Sequence, residues 1–189
     1  MTSNLKIKVH QTSLDGAFVI EPKVFGDERG WFYESYNQLE FEIATGVTPS
    51  FIQDNHSLSK QGILRGLHYQ TNHVQGKLVR VTKGSVFDVA VDLRKNSSTY
   101  GKWFGQELSS NNYLQMWIPP GFAHGFLVLS ESAEFLYKTT DYYDPTSERC
   151  LLWNDPYLNI RWPLDRIGGQ PQLNAKDASG LTWDQAPKF

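Results

Sequence analysis

The chain has 189 residues, 40% of them hydrophobic and 14% aromatic, and a formal charge of −2. That is material for one large domain with its own core, expected to span 1–189. A near-neutral balance without long runs of either sign argues against a nucleic-acid or membrane-surface binder. No apolar run approaches the length of a membrane span. Met1 to His10 is polar and lacks the apolar stretch of a signal peptide. Cys150 is the single cysteine, which excludes an intramolecular disulfide and favours a buried rather than a reactive thiol. The expectation is a cytoplasmic protein.

In chain order, short segments rich in Val, Ile, Phe, Tyr and Trp alternate with turn residues. Ala17 to Ile20 is the first. Asn37 to Ala44 is the one segment that predicts a helix, with apolar positions at Leu39 and Ile43 and Gly46 as its stop. Gln61 to Gln70 predicts a short strand, and Lys77 to Thr82 the next, closed by a turn at Lys83-Gly84. Ser85 to Leu93 is strongly β-branched. Trp103 to Leu108, Gln115 to Ile118, Phe126 to Leu129 and Ala133 to Thr140 continue the series. Many short, evenly spaced strands predict an all-β sandwich or barrel of the jelly-roll kind, with short peripheral helices. After Pro156 the pattern weakens, and 157–189 read as loops and turns wrapped on the barrel.

The most informative stretch is Gln61-Gly62-Ile63-Leu64-Arg65-Gly66-Leu67-His68-Tyr69-Gln70. Arg65 and His68 stand three apart, so a flat strand would turn them to opposite faces. Gly66 between them marks a place where a strand bends or bulges. Further on, Pro119-Pro120-Gly121-Phe122-Ala123-His124 resembles the second motif of the cupin superfamily, in which a tight turn delivers a histidine to the barrel mouth. The earlier metal-binding motif is broken. His68 is followed by Tyr69 and Gln70 instead of a second ligating histidine, and Lys77 stands where the pattern places a glutamate. A protonated lysine cannot ligate and repels a cation. The expectation is therefore no metal and no cofactor, in a mouth suited to an anionic substrate and proton transfer.

Strand alternation over 135–143 puts Tyr137, Thr139, Asp141 and Tyr143 on one face. A tyrosine can serve as a general acid once its surroundings tune it, though on a strand it is more often plain core. Leu173 to Ala178 reads as a solvated loop, with Asp177 as a carboxylate able to orient a histidine.

Taken together, Pro22 to Ser35, Phe51 to Ser57, Leu64 to Gln70, Gln75 to Arg80, Asp88 to Arg94, Pro119 to Phe126, Tyr137 to Tyr143, Trp153 to Pro156 and Ala175 to Ala178 resemble the dTDP-4-dehydrorhamnose 3,5-epimerase family of non-metal cupins. The resemblance runs over almost the whole length. It implies a cupin jelly-roll barrel and the substrate dTDP-4-dehydro-6-deoxyglucose, whose C4 ketone acidifies the hydrogens at C3 and C5. It implies His68 as the base, Asp177 as its partner, Tyr137 as the acid and Lys77 beside the C4 oxygen. It implies Arg29, Arg65 and Lys176 near the diphosphate, where guanidinium groups pair with phosphate oxygens. Glu34, Gln53, Asp54, Asn55, His124, Tyr143 and Glu148 complete the implied binding set, and Phe25, Phe32 or Tyr143 would pack on the thymine or sugar. It also implies a homodimer with exchanged N-terminal segments.

Three other readings remain open to the sequence. One is an epimerase acting at a single carbon of a related keto-sugar. Another is a non-catalytic sugar-binding jelly roll, against which the joint presence of His68, Asp177 and Tyr137 argues. The third is a metal-dependent cupin oxygenase.

Overall fold

The computed structural model describes residues 5–189; Met1 to Asn4, the start of the polar N-terminus noted above, lie outside the described residues. Two antiparallel sheets face each other. The six-stranded sheet runs in the order β1 (Ile7–Gln11), β2 (Phe18–Pro22), β10 (Gln115–Ile118), β7 (Lys77–Lys83), β12 (Ser132–Thr139), β5 (Gln53–Lys60). The five-stranded sheet runs β13 (Glu148–Cys150), β6 (Leu64–Gln70), β11 (Phe122–Val128), β8 (Ser85–Asp92), β9 (Trp103–Ser109). A separate hairpin pairs β3 (Phe25–Asp27) with β4 (Gly30–Phe32). This is the all-β jelly roll that the spacing predicts.

Apolar side chains form three layers. Val79, Val81, Val86, Ala90, Met116 and Phe135 fill the space between the sheets. Phe18, Ile20, Leu78 and Trp117 sit on the outer face of the six-stranded sheet. There they receive Phe41 of helix α1 (Gln38–Thr45), which Asn37 caps at its start and left-handed Gly46 at its end. On the outer face of the five-stranded sheet, Leu67, Val89, Val91 and Leu127 are covered by Leu158, Ile160, Trp162 and Trp183 from the tail. Burial on both faces is why β8 and β11 carry apolar residues without alternation.

The tail is stitched to β6. Leu64 N–H donates to Gln172 O, Gln172 N–H to Gly62 O, and Leu181 N–H to Cys150 O. Between these points runs the short helix α2 (Ala175–Ala178), capped by Asn174 Oδ1 on Asp177 N–H at 2.7 Å. The segment expected as a loop is thus a helical turn laid along β6 and β13.

Arg65 and His68 do not point to opposite faces. On β11, His124 pairs with His68 and Phe126 with Arg65, so three steps on β6 match two on its neighbour. One extra residue in a strand restores the alternation beyond it, and both side chains enter the barrel. Gly66 permits this, having φ +115°, and a Cβ there would stand 2.6 Å from Gly125 Cα and 2.7 Å from His124 O.

Candidate active site

Between the sheets opens a cavity of about 900 Å³, counting its mouth, lined among others by Arg65, His68, Lys77, His124, Tyr137 and Glu148. His68, Arg65 and His124 come from the five-stranded sheet, Tyr137 and Lys77 from the six-stranded one. A flat ring held between them therefore meets an imidazole on one side and a phenol on the other.

His68 Nε2 donates to Asp177 Oδ1 at 2.5 Å, and Asp177 is 1% exposed. A carboxylate only accepts, so the proton sits on Nε2 and Nδ1 keeps the free lone pair. Asp177 thus fixes the tautomer and can stabilise the imidazolium. A second dyad lies deeper: His124 Nε2 donates to the fully buried Asp88 Oδ2 at 2.9 Å. Burial holds His124 below its usual range although Asp88 opposes that shift. The motif Asp88 to Arg94 enters the resemblance as a block, and nothing in its order marks Asp88 as the partner of His124.

Lys77 is buried, and its ammonium donates to the carbonyl of His68 at 3.4 Å. Burial pulls its pKa down to about 8, although Asp88 and Glu148 favour the charged form. Tyr137 is raised by burial and by the nearby Glu148, so it remains a protonated phenol able to donate. At the mouth, Glu148 accepts from Lys176 and from Tyr143 OH, the latter at 2.7 Å. Burial alone would raise Glu148, but these two partners outweigh it and hold it below its ordinary value.

Gln70 occupies the place of the missing second histidine. It is 4% exposed and donates to His73 O at 2.7 Å and Tyr142 O at 3.1 Å, while accepting from Asp144 N–H at 2.9 Å. It ties the loop after β6 to the loop that carries Tyr143. Gln70→Ala should therefore raise KM about tenfold, roughly 1.4 kcal/mol, and leave kcat nearly unchanged. An unchanged KM in steady-state assays would show that the loop needs no such clamp.

Not every expected residue reaches the cavity. Gln53 bonds Asn55 Oδ1 at 2.9 Å and accepts from Tyr143 N–H at 3.1 Å, bracing the wall behind Asn55. Asp54, between them, falls on the other face of the strand, paired with Lys138 at 2.9 Å beside an outer groove. Arg29 sits at the tip of the β3–β4 hairpin, bonded to Asp27 at 2.5 Å, and Glu34 is held by Lys6 and Asn37. Neither lines the cavity. Among the described residues, the ligand-type side chains clustered within 4.8 Å are His68, Cys150 and Asp177. Cys150 is buried, as the sequence reading expects, and burial pushes its thiol up to about 12.

The sequence profile described as dTDP-4-dehydrorhamnose 3,5-epimerase matches residues 11–185. The chain belongs to the dTDP-4-dehydrorhamnose 3,5-epimerase family. A Pseudomonas aeruginosa protein of that name is 57% identical over 183 residues, covering 97% of this chain and 99% of that one. The fold is similar to the crystal structure of a Legionella pneumophila dTDP-6-deoxy-D-glucose-3,5-epimerase in complex with dTDP-4-keto-L-rhamnose. There the TM-score is 0.90 at 49% identity, over 97% of this chain and 98% of that one. It is also similar to a 3′-monoepimerase from Streptomyces bikiniensis in complex with dTDP-quinovose, with TM-score 0.86 at 30% identity over 93% and 88% of the two chains. No helix of the described residues is long and apolar enough to cross a membrane.

Proposed function

We propose that the chain epimerises C3 and C5 of dTDP-4-dehydro-6-deoxyglucose to give dTDP-4-dehydro-L-rhamnose, by acid–base proton transfer within this cavity. The observation that carries the reading is the placement of His68 and Tyr137 on facing sheets. Epimerisation takes a proton from one face of a carbon and returns one to the other, so base and acid must flank the ring. His68 Nδ1 removes the proton α to the ketone. The electron pair moves to the C4 oxygen, where the Lys77 ammonium stabilises the enolate. Tyr137 then protonates the opposite face of the carbon. Arg65, Lys176 and, from the mouth, Tyr143 hold the nucleotide end. The roles need neither a redox cofactor nor a Lewis acid, since the ketone already acidifies both carbons.

Proton NMR of the substrate with the protein in D2O tests this. Loss of both the C3 and C5 signals supports the reading; exchange at one carbon alone would favour the mono-epimerase reading, which the likeness to the 3′-monoepimerase keeps in view. Tyr137→Phe should separate the steps, letting deuterium wash into the substrate while product formation slows about a hundredfold. Equal loss of exchange and turnover would count against Tyr137 as the acid.

We also propose a cytoplasmic homodimer. Phe25, Trp31 and Phe32 are 43%, 61% and 65% exposed on the β3–β4 hairpin, an apolar surface that the described residues of a single chain leave largely uncovered. In a pair with exchanged N-terminal segments, this hairpin and Arg29 would serve the neighbouring chain's cavity. Light scattering giving the mass of one chain would exclude the pair.

A further inference from the structure

We propose that His68, Cys150 and Asp177 form an inhibitory site for a thiophilic divalent cation such as Zn2+. The three side chains converge because of the fold. Cys150 and His68 are directly opposed on β13 and β6, so both project from the same face of the sheet. The capped turn of α2 brings Asp177 against both, at 2.5 Å from His68 Nε2 and 3.9 Å from Cys150 Sγ. The second carboxylate oxygen of Asp177 is buried and has no hydrogen-bond partner, an uncommon state for a charged group in an interior.

Imidazole, thiolate and carboxylate are the donor types that Zn2+ takes in tetrahedral sites, with an open fourth position for water. His68 is 28% exposed at its side chain and lines the cavity, so the site of the buried Cys150 and Asp177 adjoins the cavity at the imidazole. With bonds of about 2 Å, a tetrahedral ion needs its donors roughly 3.3 Å apart. The contact between His68 and Asp177 opens by under an ångström, and that between Cys150 and Asp177 closes by about half of one. The thiol gives up its proton on coordination. The neutral imidazole keeps its proton but moves it from Nε2 to Nδ1, because Nε2 now binds the metal. Zn2+, thiolate and carboxylate together are neutral, and the balance closes with one proton released.

The consequence for turnover rests on the acid–base reading above. Nδ1, the nitrogen that must accept the substrate proton, becomes the protonated one. A cation there switches the base off without blocking the mouth.

The test uses untagged, chelator-treated protein titrated with Co2+, then Zn2+. Cys150 is the chain's single cysteine, so a near-ultraviolet thiolate-to-Co2+ charge-transfer band can come only from this site. One saturable equivalent, displaced by Zn2+ and absent in Cys150→Ser, is expected. Zn2+ should inhibit the wild type, and Cys150→Ser should match wild-type turnover without metal while needing roughly tenfold more Zn2+ or more for inhibition. Absence of the band in the wild type overturns the site, whether or not the variant folds. Inhibition of Cys150→Ser at the wild-type Zn2+ concentration overturns it as well. The band does not depend on turnover, so failure of the epimerase reading would leave it intact.

Discussion

His68→Asn should lower kcat by about 10³- to 10⁴-fold and suppress deuterium exchange at both C3 and C5, with the fold intact. The asparagine keeps a donor toward Asp177 but has no basic nitrogen. A positioned general base accounts for about 10² to 10⁴ in rate, roughly 3 to 5 kcal/mol of barrier. The upper half is expected here because one imidazole serves both carbons. Both α-hydrogens must pass its Nδ1 in turn, so the two exchange signals should fall together. Asp177→Asn should mimic the loss in part. An amide in that place no longer carries the charge that stabilises the imidazolium, and it can present its own N–H to Nε2 and turn the tautomer over. Exchange that persists at one carbon in His68→Asn would assign that carbon a different base and sink the single-base scheme.

Strands buried on both sides announce themselves in the sequence. Ser85 to Leu93 is mostly apolar, with valines at 86, 89 and 91, and β8 lies under both the inter-sheet core and the tail. β5 is the contrary case. Its residues, Gln53-Asp54-Asn55-His56-Ser57-Leu58-Ser59-Lys60, alternate cleanly in burial, yet both faces are polar because one lines the cavity and the other meets solvent. Hydrophobic periodicity cannot report such a strand. The consequence falls at the site. A strand at 53–60 would have put Gln53 and Asn55 on one face and Asp54 on the other, which is where the structure has them. A resemblance carried over motif by motif does not sort the faces.

Distance in sequence hides the rest. Asp177 lies 109 residues from His68, and it reaches the imidazole through a four-residue helix pinned by backbone bonds at Gln172 and Leu181. No local periodicity could announce so short a turn. Gly66 did carry a signal. A glycine inside a strand warns of a bulge, and the bulge brings Arg65 and His68 into one cavity. Arg29 and Glu34 are legible as motif residues, but their side chains are engaged outside the cavity of their own chain.

Lys77→Met should lower kcat by about a hundredfold or more, near 2.7 kcal/mol, if the ammonium is the enolate's main donor. The same variant should be more stable than the wild type at pH 7. The two effects share one cause. The buried ammonium has its pKa pulled from 10.5 to about 8, so keeping it charged at neutral pH costs folding free energy. Between about pH 8 and 10.5 the unfolded chain binds a proton that the folded one has released. Stability from this group therefore rises with pH across that window and is lowest below it. Activity runs the other way, because only the protonated form can meet an oxyanion. The kcat profile of the wild type should fall on its alkaline side near pH 8, while Lys77→Arg, charged at every accessible pH, should lose that limb at a reduced rate. Thermal melts of Lys77→Met across pH 6 to 10, paired with turnover, read both signs. A variant less stable than wild type at pH 7, or a wild-type profile flat through pH 9, would mean that Lys77 is not a strained cation kept for the enolate.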